Sequence, residues 1–516
     1  MRRWLTLCWL LALLYGMANA QSGRSIQYRA DMGFYDEDYM PGAQRLVGHV
    51  AFAQDNVRGY CDSAYLYEKD NYIIAFGDRV KILVGDSVRL FGRRAYYDGN
   101  AKTAAIAARV RLEKGDSFLL TDSLTYDLQR DVGYYQTGGT IYNNEDTLSS
   151  MIGQYYTKTD DAFGFVDVLL YNKKYHIDCD SLQYNASSQI VYFISTTHLK
   201  SDSNEIYTDR GWYHTESDIS TLHGNVKLFA KEQQLFADSI YYESENEFAQ
   251  AWHNVTLIDT VKDYIVKGNY FEHRDAEGFS LATDSSLLIV LDDNRDSLFL
   301  HADTLKIFFN EEDELQTMLA YNHAKFYRHD LQGACDSLVG NVQDSIITLY
   351  FNPVVWANEY QLTGDTIRFS AIDSSLMMLE LRKAGFVVGG LFGNTEYNQI
   401  KGVNITGFIR DKELYRVEVV NNAECVYYVQ EEDSSLIGIN TSITNAMRVL
   451  LEDQRIKQIR YYENPDGQLH PDKQFSEKDR KLTDFRWLDA YRPKGALDVY
   501  VQPIPREKSA TMPMNP

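Results

Sequence analysis

Proline is almost missing from the body of this 516-residue chain. Seven of its nine prolines (Pro465, Pro471, Pro493, Pro503, Pro505, Pro513 and Pro516) lie beyond residue 460, and between residues 42 and 460 only Pro353 occurs. Proline has no amide to give to a β ladder, so that stretch is free to pair strands almost continuously. Positive charge is also short: 51 Lys and Arg stand against 73 Asp and Glu, a formal charge of −22. Phosphate backbones are bound by clustered cations, so nucleic acid is excluded as a major partner. After the first twenty residues no apolar run is long enough to span a bilayer. The chain holds no Gly-x-Ser-x-Gly elbow, no His-Glu-x-x-His and no phosphate-cradling Gly-x-x-x-x-Gly-Lys-Ser/Thr, so nothing indicates an enzyme, a cofactor or a metal.

What is present is apolar and aromatic. Hydrophobic residues make up 44% of the chain, enough for a sizeable core, and its 38 Tyr suit pleated surfaces. Residues 1–20 read as an export signal: Arg2 and Arg3, an apolar stretch from Trp4 to Tyr15, and the small-residue site Ala18-Asn19-Ala20. Cys8 lies inside the apolar stretch and no Cys stands at the cleavage point, so a lipid anchor has no support. The mature protein is expected to be exported and soluble.

The organising feature is an internal repeat. Segments of the type Gly-x-Val-x-apolar recur, as in Gly48-His49-Val50-Ala51-Phe52 and Gly224-Asn225-Val226-Lys227-Leu228. Their central apolar residues are Val50, Val80, Val110, Ile141, Val168, Leu199, Val226, Val255 and Leu287, spaced by 27 to 32 residues. A second ladder, Asp-Ser-apolar-x-Tyr, includes Asp122-Ser123-Leu124-Thr125-Tyr126 and Asp238-Ser239-Ile240-Tyr241-Tyr242. Its terminal aromatics, from Tyr97 to Phe271, keep the same period. Both segments alternate apolar with polar residues, so each reads as a strand with one buried face. Polar clusters such as Asn185-Ala186-Ser187-Ser188 and Ser244-Glu245-Asn246-Glu247 read as the turns between them. Two strands per ~30 residues cannot enclose a core alone and must stack on their neighbours.

The remaining chemistry-bearing residues are absorbed by this pattern. Cys61, Cys179 and Cys335 precede the same Asp-Ser pair that follows Ala237, and Ala302 precedes Asp-Thr, so the thiols, with Cys425, read as small buried residues rather than disulfides. His49, His198, His223, His253 and His323 sit beside the central apolar position, which points to a recurrent edge of a turn. Asp292-Asp293-Asn294-Arg295-Asp296 and Glu311-Glu312-Asp313 read as solvated turns; the former lacks the Gly of a calcium loop. The expected fold is all-β: an elongated two-sheet β-solenoid or open β jelly roll. Its domains are a signal peptide (1–20), regular repeats (21–290), less regular repeats (291–463) and a small C-terminal cap or tail (464–516). The closing strands are expected at 416–429 and 456–462, with a short helix at 444–451.

The cleaved signal and the succession of Gly-x-Val-x-apolar and Ala/Cys-Asp-Ser-apolar-x-Tyr segments resemble the OstA-like (LptA-like) proteins of lipopolysaccharide transport. The ending, Pro465-Asp466-Gly467 followed by Phe485-Arg486-Trp487-Leu488, looks like that of the long Bacteroidetes-type form. The resemblance implies a periplasmic, non-enzymatic open jelly roll. Such a protein carries lipopolysaccharide between inner and outer membrane and pairs edge strands with other jelly-roll components. It leaves self-association into a homo-oligomer open, and transfers no catalytic residue. An exposed methylene costs about 0.8 kcal/mol in water, so an apolar seam between two sheets could hide acyl chains. The candidate groove residues are Val50, Val80, Val110, Ile141, Val168, Val226, Leu228 and Val255, and the same side chains would equally fill a dry core. A structural or adhesive surface β-solenoid and a β-helical polysaccharide-active enzyme are the competing readings.

Overall fold

The computed structural model describes residues 25–501 except 39, 203, 231, 292–296, 311–314, 374, 412, 432–434 and 453–454. The export signal, the acidic segments 292–296 and 311–313 and the last residues of the tail lie outside the described residues. The chain divides into two compact units, Met1–Leu228 and Phe229–Pro516.

In both units the repeat is a pair of long antiparallel strands, most of 11 to 13 residues, each serving two sheets. Gln44–Gln54 pairs with Val57–Tyr67 in two blocks. Gln44 to Val47 face Leu66 to Ser63, the register shifts, and Val50 to Gln54 face Cys61 to Val57. The strand thus runs half its length in one leaf, bends, and finishes in a second. We call the leaf holding the Asp-Ser-apolar-x-Tyr endings the tyrosine leaf, and the one that starts at the central Val the valine leaf. Where the bend interrupts the ladder the halves become separate strands. Val132–Tyr135 and Gly139–Asn143 are such halves, each pairing within its own leaf.

In the second unit, Leu298–Phe309 and Leu376–Leu391 each span both leaves and are linked through each leaf by four short strands. Hydrogen bonding runs round the resulting ring without a break.

The bend has a recurrent chemistry. Two successive residues adopt positive φ: Gly48 and His49 (83° and 42°), Ala108 and Arg109, Val166 and Asp167, and Gly224 and Asn225 in the first unit. His253 and Asn254, Asp284 and Ser285, and Asn322 and His323 do so in the second. At four of these bends the preceding strand supplies an acid that ties the bend down. The Asp31 amide donates to the Gly48 carbonyl (2.9 Å) and its carboxylate meets His49 Nδ1 (2.7 Å). Asp209 does the same for Gly224 and Asn225, and Asp303 for Asn322 and His323. Asn254 donates to Asp238 (2.9 Å). The Gly-x and Asp-Ser segments are therefore the two sides of one corner, at mid-strand, and each Val, Leu or Tyr of the motif starts or ends a half-strand. At Gly48 a side chain would also meet the Asp31 carboxylate at 2.5 Å.

The far ends of the half-strands are the expected polar turns. Residues 444–451 are not helical: they lie in the strand Leu436–Glu452, where Met447 and Val449 alternate with exposed or half-buried neighbours. Period-two burial overrides the helix-compatible composition there. Among the described residues the only helical segments are four short 3₁₀ turns. The last strand is Asp466–His470, which pairs with Ile439 to Ile443.

From residue 471 the tail runs back across the outer face of the valine leaf of the second unit. Phe475 packs with Val426, Tyr428 and Ile439, and Leu488 and Tyr491 pack on Val354 and Trp356. Two buried glutamines hold its backbone as a neighbouring strand would. Gln399 donates to the Arg480 carbonyl (2.7 Å) and accepts from the Leu482 amide (2.8 Å). Gln361 does the same with Arg486 and Leu488 (2.8 and 2.6 Å). Six residues further on, Arg492 donates to Gln332 (2.7 Å). The segment Arg480-Lys481-Leu482, Arg486-Trp487-Leu488, Arg492 is thus a six-residue repeat matched to alternate strands beneath it.

Gly224→Val forces a β-branched residue into left-handed φ and against Asp209. We expect it to cost about 2 kcal/mol or more, read as a lowered urea midpoint. Gln399→Ala strands a buried backbone donor and acceptor and should cost about 1–3 kcal/mol. The same variant should speed proteolytic cleavage within 471–501.

Candidate functional site

The space between the leaves is the one place where the fold gathers apolar side chains from many strands. Of the eight residues expected there, Val50, Val80, Val110, Ile141, Val226 and Val255, with Val168, are all at most 3% exposed, and Leu228 is half-buried. Their neighbours in the first unit are large. Tyr97, Tyr126, Tyr135, Tyr155 and Tyr184 are fully buried and fill the interior beside Leu46, Leu66, Ile73, Ile82 and Leu90.

These tyrosines also close the first unit on the side opposite the corners. Tyr97 donates to Gln54 of the other leaf (2.7 Å), and Gln54 Nε2 donates to the Gly99 carbonyl (3.2 Å). Tyr184 donates to buried Asp146 (2.7 Å) and accepts from Asn143 (2.9 Å), which also donates to the Ala186 carbonyl. Lys102 pairs with Asp55 (2.6 Å), and Lys114 with Asp160. Burial pushes the phenols of Tyr97 and Tyr184 up and that of Tyr126 to about 12. They stay neutral and act as donors at any physiological pH. In this unit the interior is packed and its rim is latched.

The second unit differs. Its strands Leu376–Leu391, Glu396–Arg410, Glu413–Gln430 and Leu436–Glu452 have 15 to 18 residues. Between their leaves lies an apolar cavity of ≈ 140 Å³, lined by Leu379, Leu381, Ile405, Leu414, Val417 and Val449 among others. Leu362, Val387 and Ile400 approach from the valine leaf, and Glu413 and Asn358 supply polar groups. Gly407 faces it where other strands carry a side chain. None of the eight residues expected from the sequence lines this cavity. The available signal was compositional. The inward positions here are mostly aliphatic or Gly, Tyr360 is the one aromatic in the lining, and no row of fully buried Tyr fills the gap.

Among the described residues no group of His, Cys, Asp and Glu is arranged to hold a metal ion, and no helix is long and apolar enough to cross a membrane. The four described thiols are unpaired. Cys61 and Cys335 are buried in the small slot that Ala237 and Ala302 occupy at other corners. Burial pushes the thiols of Cys61 and Cys179 up to about 11 and that of Cys425 to about 12. His49, His198 and His323 each meet a corner Asp.

Residues 25–180, most of the described length of the first unit, match a family described as OstA-like protein. Among solved structures, one similar chain is LptH of Pseudomonas aeruginosa, titled the LptA homologous periplasmic component of the lipopolysaccharide transport device. It is 14% identical over 21% of this chain and 80% of its own, with a TM-score of 0.20. No curated protein matches the chain.

A thiol near pKa 11 is about one part in a thousand thiolate at pH 8. Cys61, Cys179, Cys335 and Cys425 should therefore react with Ellman's reagent at least ~100-fold more slowly in the folded chain than in guanidinium, and raising the pH from 8 to 9 should speed the folded reaction.

Proposed function

We propose that the protein is a periplasmic, non-enzymatic carrier of lipopolysaccharide that shields acyl chains between its two leaves, with the cavity of the second unit as the place where room for them exists. The OstA-like segment and the export signal support the transport setting. The observation that carries the acyl-chain reading is the cavity itself. It is lined by aliphatic side chains from both leaves and measures ≈ 140 Å³, about the size of an engineered apolar cavity that stays dry and takes up benzene. At about 0.8 kcal/mol per buried methylene, a dozen methylenes would gain about 10 kcal/mol by leaving water. The cavity holds the first few, and further entry parts the leaves.

Val50, Val80, Val110, Ile141, Val168, Val226, Leu228 and Val255 remain candidates for the acyl-facing wall. In the latched first unit, contact with lipid requires its tyrosine rim to open. The edge strand Met32–Tyr35, with Met32, Phe34 and Tyr35 exposed, offers unpaired backbone to another jelly-roll component. A purely structural β stack is the second reading. The filled first unit favours it, and the second unit's cavity argues against it.

Photo-cross-linking residues placed at Leu381, Leu414 or Val449 in a Gram-negative host should capture lipopolysaccharide, and lipid should co-purify by mass spectrometry. Capture of glycan alone, or of nothing at these positions, would sink the proposal.

A further inference from the structure

The corner row of the first unit contains a reversal of charge. The acid that ties a bend is Asp31, Asp62 or Asp209 at other corners, and Asp122 holds the same place in the motif, with Ser following at 63 and 123. On the strand Val88–Asp98 the same two positions are Arg93 and Arg94. The residue that should answer the acid, His49 or Asn225 elsewhere, is here Arg109. On the other side, Gly92 faces Val80 across the ladder, which sets Arg79 beside the same corner.

Three neighbouring strands, at the ~4.8 Å spacing of a sheet, therefore each present a guanidinium at one level of the corner edge. Among the described residues Arg79, Arg93, Arg94 and Arg109 make no ion pair, and Arg79 and Arg94 instead lie over Phe91 and Phe76 (4.7 and 5.5 Å). Residues 45–114 carry twelve basic and eight acidic residues in a chain whose net charge is −22. Gathering like charges on three strands raises the energy of the fold, and Asp62 and Asp122, the acids on the flanking strands, make no ion pair with them among the described residues.

The row ends in an open hollow of ≈ 620 Å³ lined by Arg109, Asp122, Thr137, Thr140, Ser149 and Asp167, with Gly138 and Gly139 exposing backbone. Thr140 and Ser149 hydroxyls pair with each other (3.0 Å) at its wall. A fork of guanidinium donors matches phosphate oxygens. The adjoining hydroxyls and the two carboxylates match the donors and acceptors of a sugar ring.

We propose that this corner binds a phosphate-bearing sugar, with Arg79, Arg93 and Arg109 on the phosphate and the hollow around Asp122 and Asp167 on the ring. The site stands apart from the acyl-chain reading: it lies on the corner edge of the first unit and needs no opening of the leaves.

The test uses the full chain and the double variant Arg93→Asp with Arg94→Ser, which restores the Asp-Ser pair of neighbouring corners. Glucosamine 1-phosphate should bind, more weakly as salt rises. The variant should lose at least about tenfold in affinity while melting at the same or a higher temperature. Arg45→Gln, three strands away from Val88–Asp98 and outside the lining of the hollow, should bind as the parent does. Monophosphoryl lipid A in detergent micelles reads the lipid-borne source. Binding of the free sugar phosphate, of the glycolipid, or of both supports the site if the double variant abolishes it, and the pattern tells which source is used. The proposal is overturned if inorganic phosphate binds as tightly as the sugar phosphate, or if neutral N-acetylglucosamine does. Binding only to phosphatidylglycerol vesicles, or a variant that loses stability but keeps its affinity, overturns it as well.

Discussion

Left-handed backbone is expensive for L residues, and this chain adopts it twice in a row at about every second strand. The cost is offset at the same spot. At Gly48–His49, Gly224–Asn225 and Asn322–His323 an acid from the neighbouring strand pairs with the side chain of the bend and donates its own amide to the bend's carbonyl. Each acid–bend pair turns one strand into two half-strands without breaking the chain's path, and so lets neighbouring strands build two leaves at once. Without the bend the repeats would form a flat sheet with an apolar face open to water. With it, each repeat brings its own lid.

Once the leaves face each other, the side chains at their inner positions decide what the space becomes. In the first unit phenol rings reach across the gap and hydrogen-bond at the far rim, so volume and polarity are both satisfied. In the second unit longer strands bring Leu, Ile, Val and a glycine to comparable positions. Aliphatic side chains line most of the gap between the leaves there, with Glu413 and Asn358 as its polar groups. One architecture thus yields a latched wall in one unit and a largely apolar cavity in the other.

The periodicity was legible in the residues because burial alternates with period two and the Asp-Ser and Gly-x pairs recur. That made the all-β class, the turns at 185–188 and 244–247, and the burial of Val50, Val110 and Val168 readable in advance. The corner was not, because a Gly-x-Val triplet looks like a strand when its two left-handed residues cannot be seen. The helix expected at 444–451 failed for the converse reason. Ala446, Met447, Arg448 and Leu450 suit a helix, and only the pairing partner Arg455–Tyr462 reveals the strand. The cavity escaped notice because it depends on what is missing between leaves, which no local motif encodes. The tail looked like a charged, Pro-containing arm. Its six-residue spacing acquires meaning only against the glutamines beneath it.

That tail meets its platform in reverse chain order, from Ile439 back to Lys325, whose ammonium donates to the Val501 carbonyl across 176 residues. Contacts so distant in sequence close late in folding. Until Phe475, Leu488 and Tyr491 dock, Val354, Trp356, Val426 and Ile439 are open to solvent. The folding molecule therefore passes through an interval with a greasy, hydrogen-bond-hungry flank, during which a chaperone or an aggregating neighbour competes with residues 471–501.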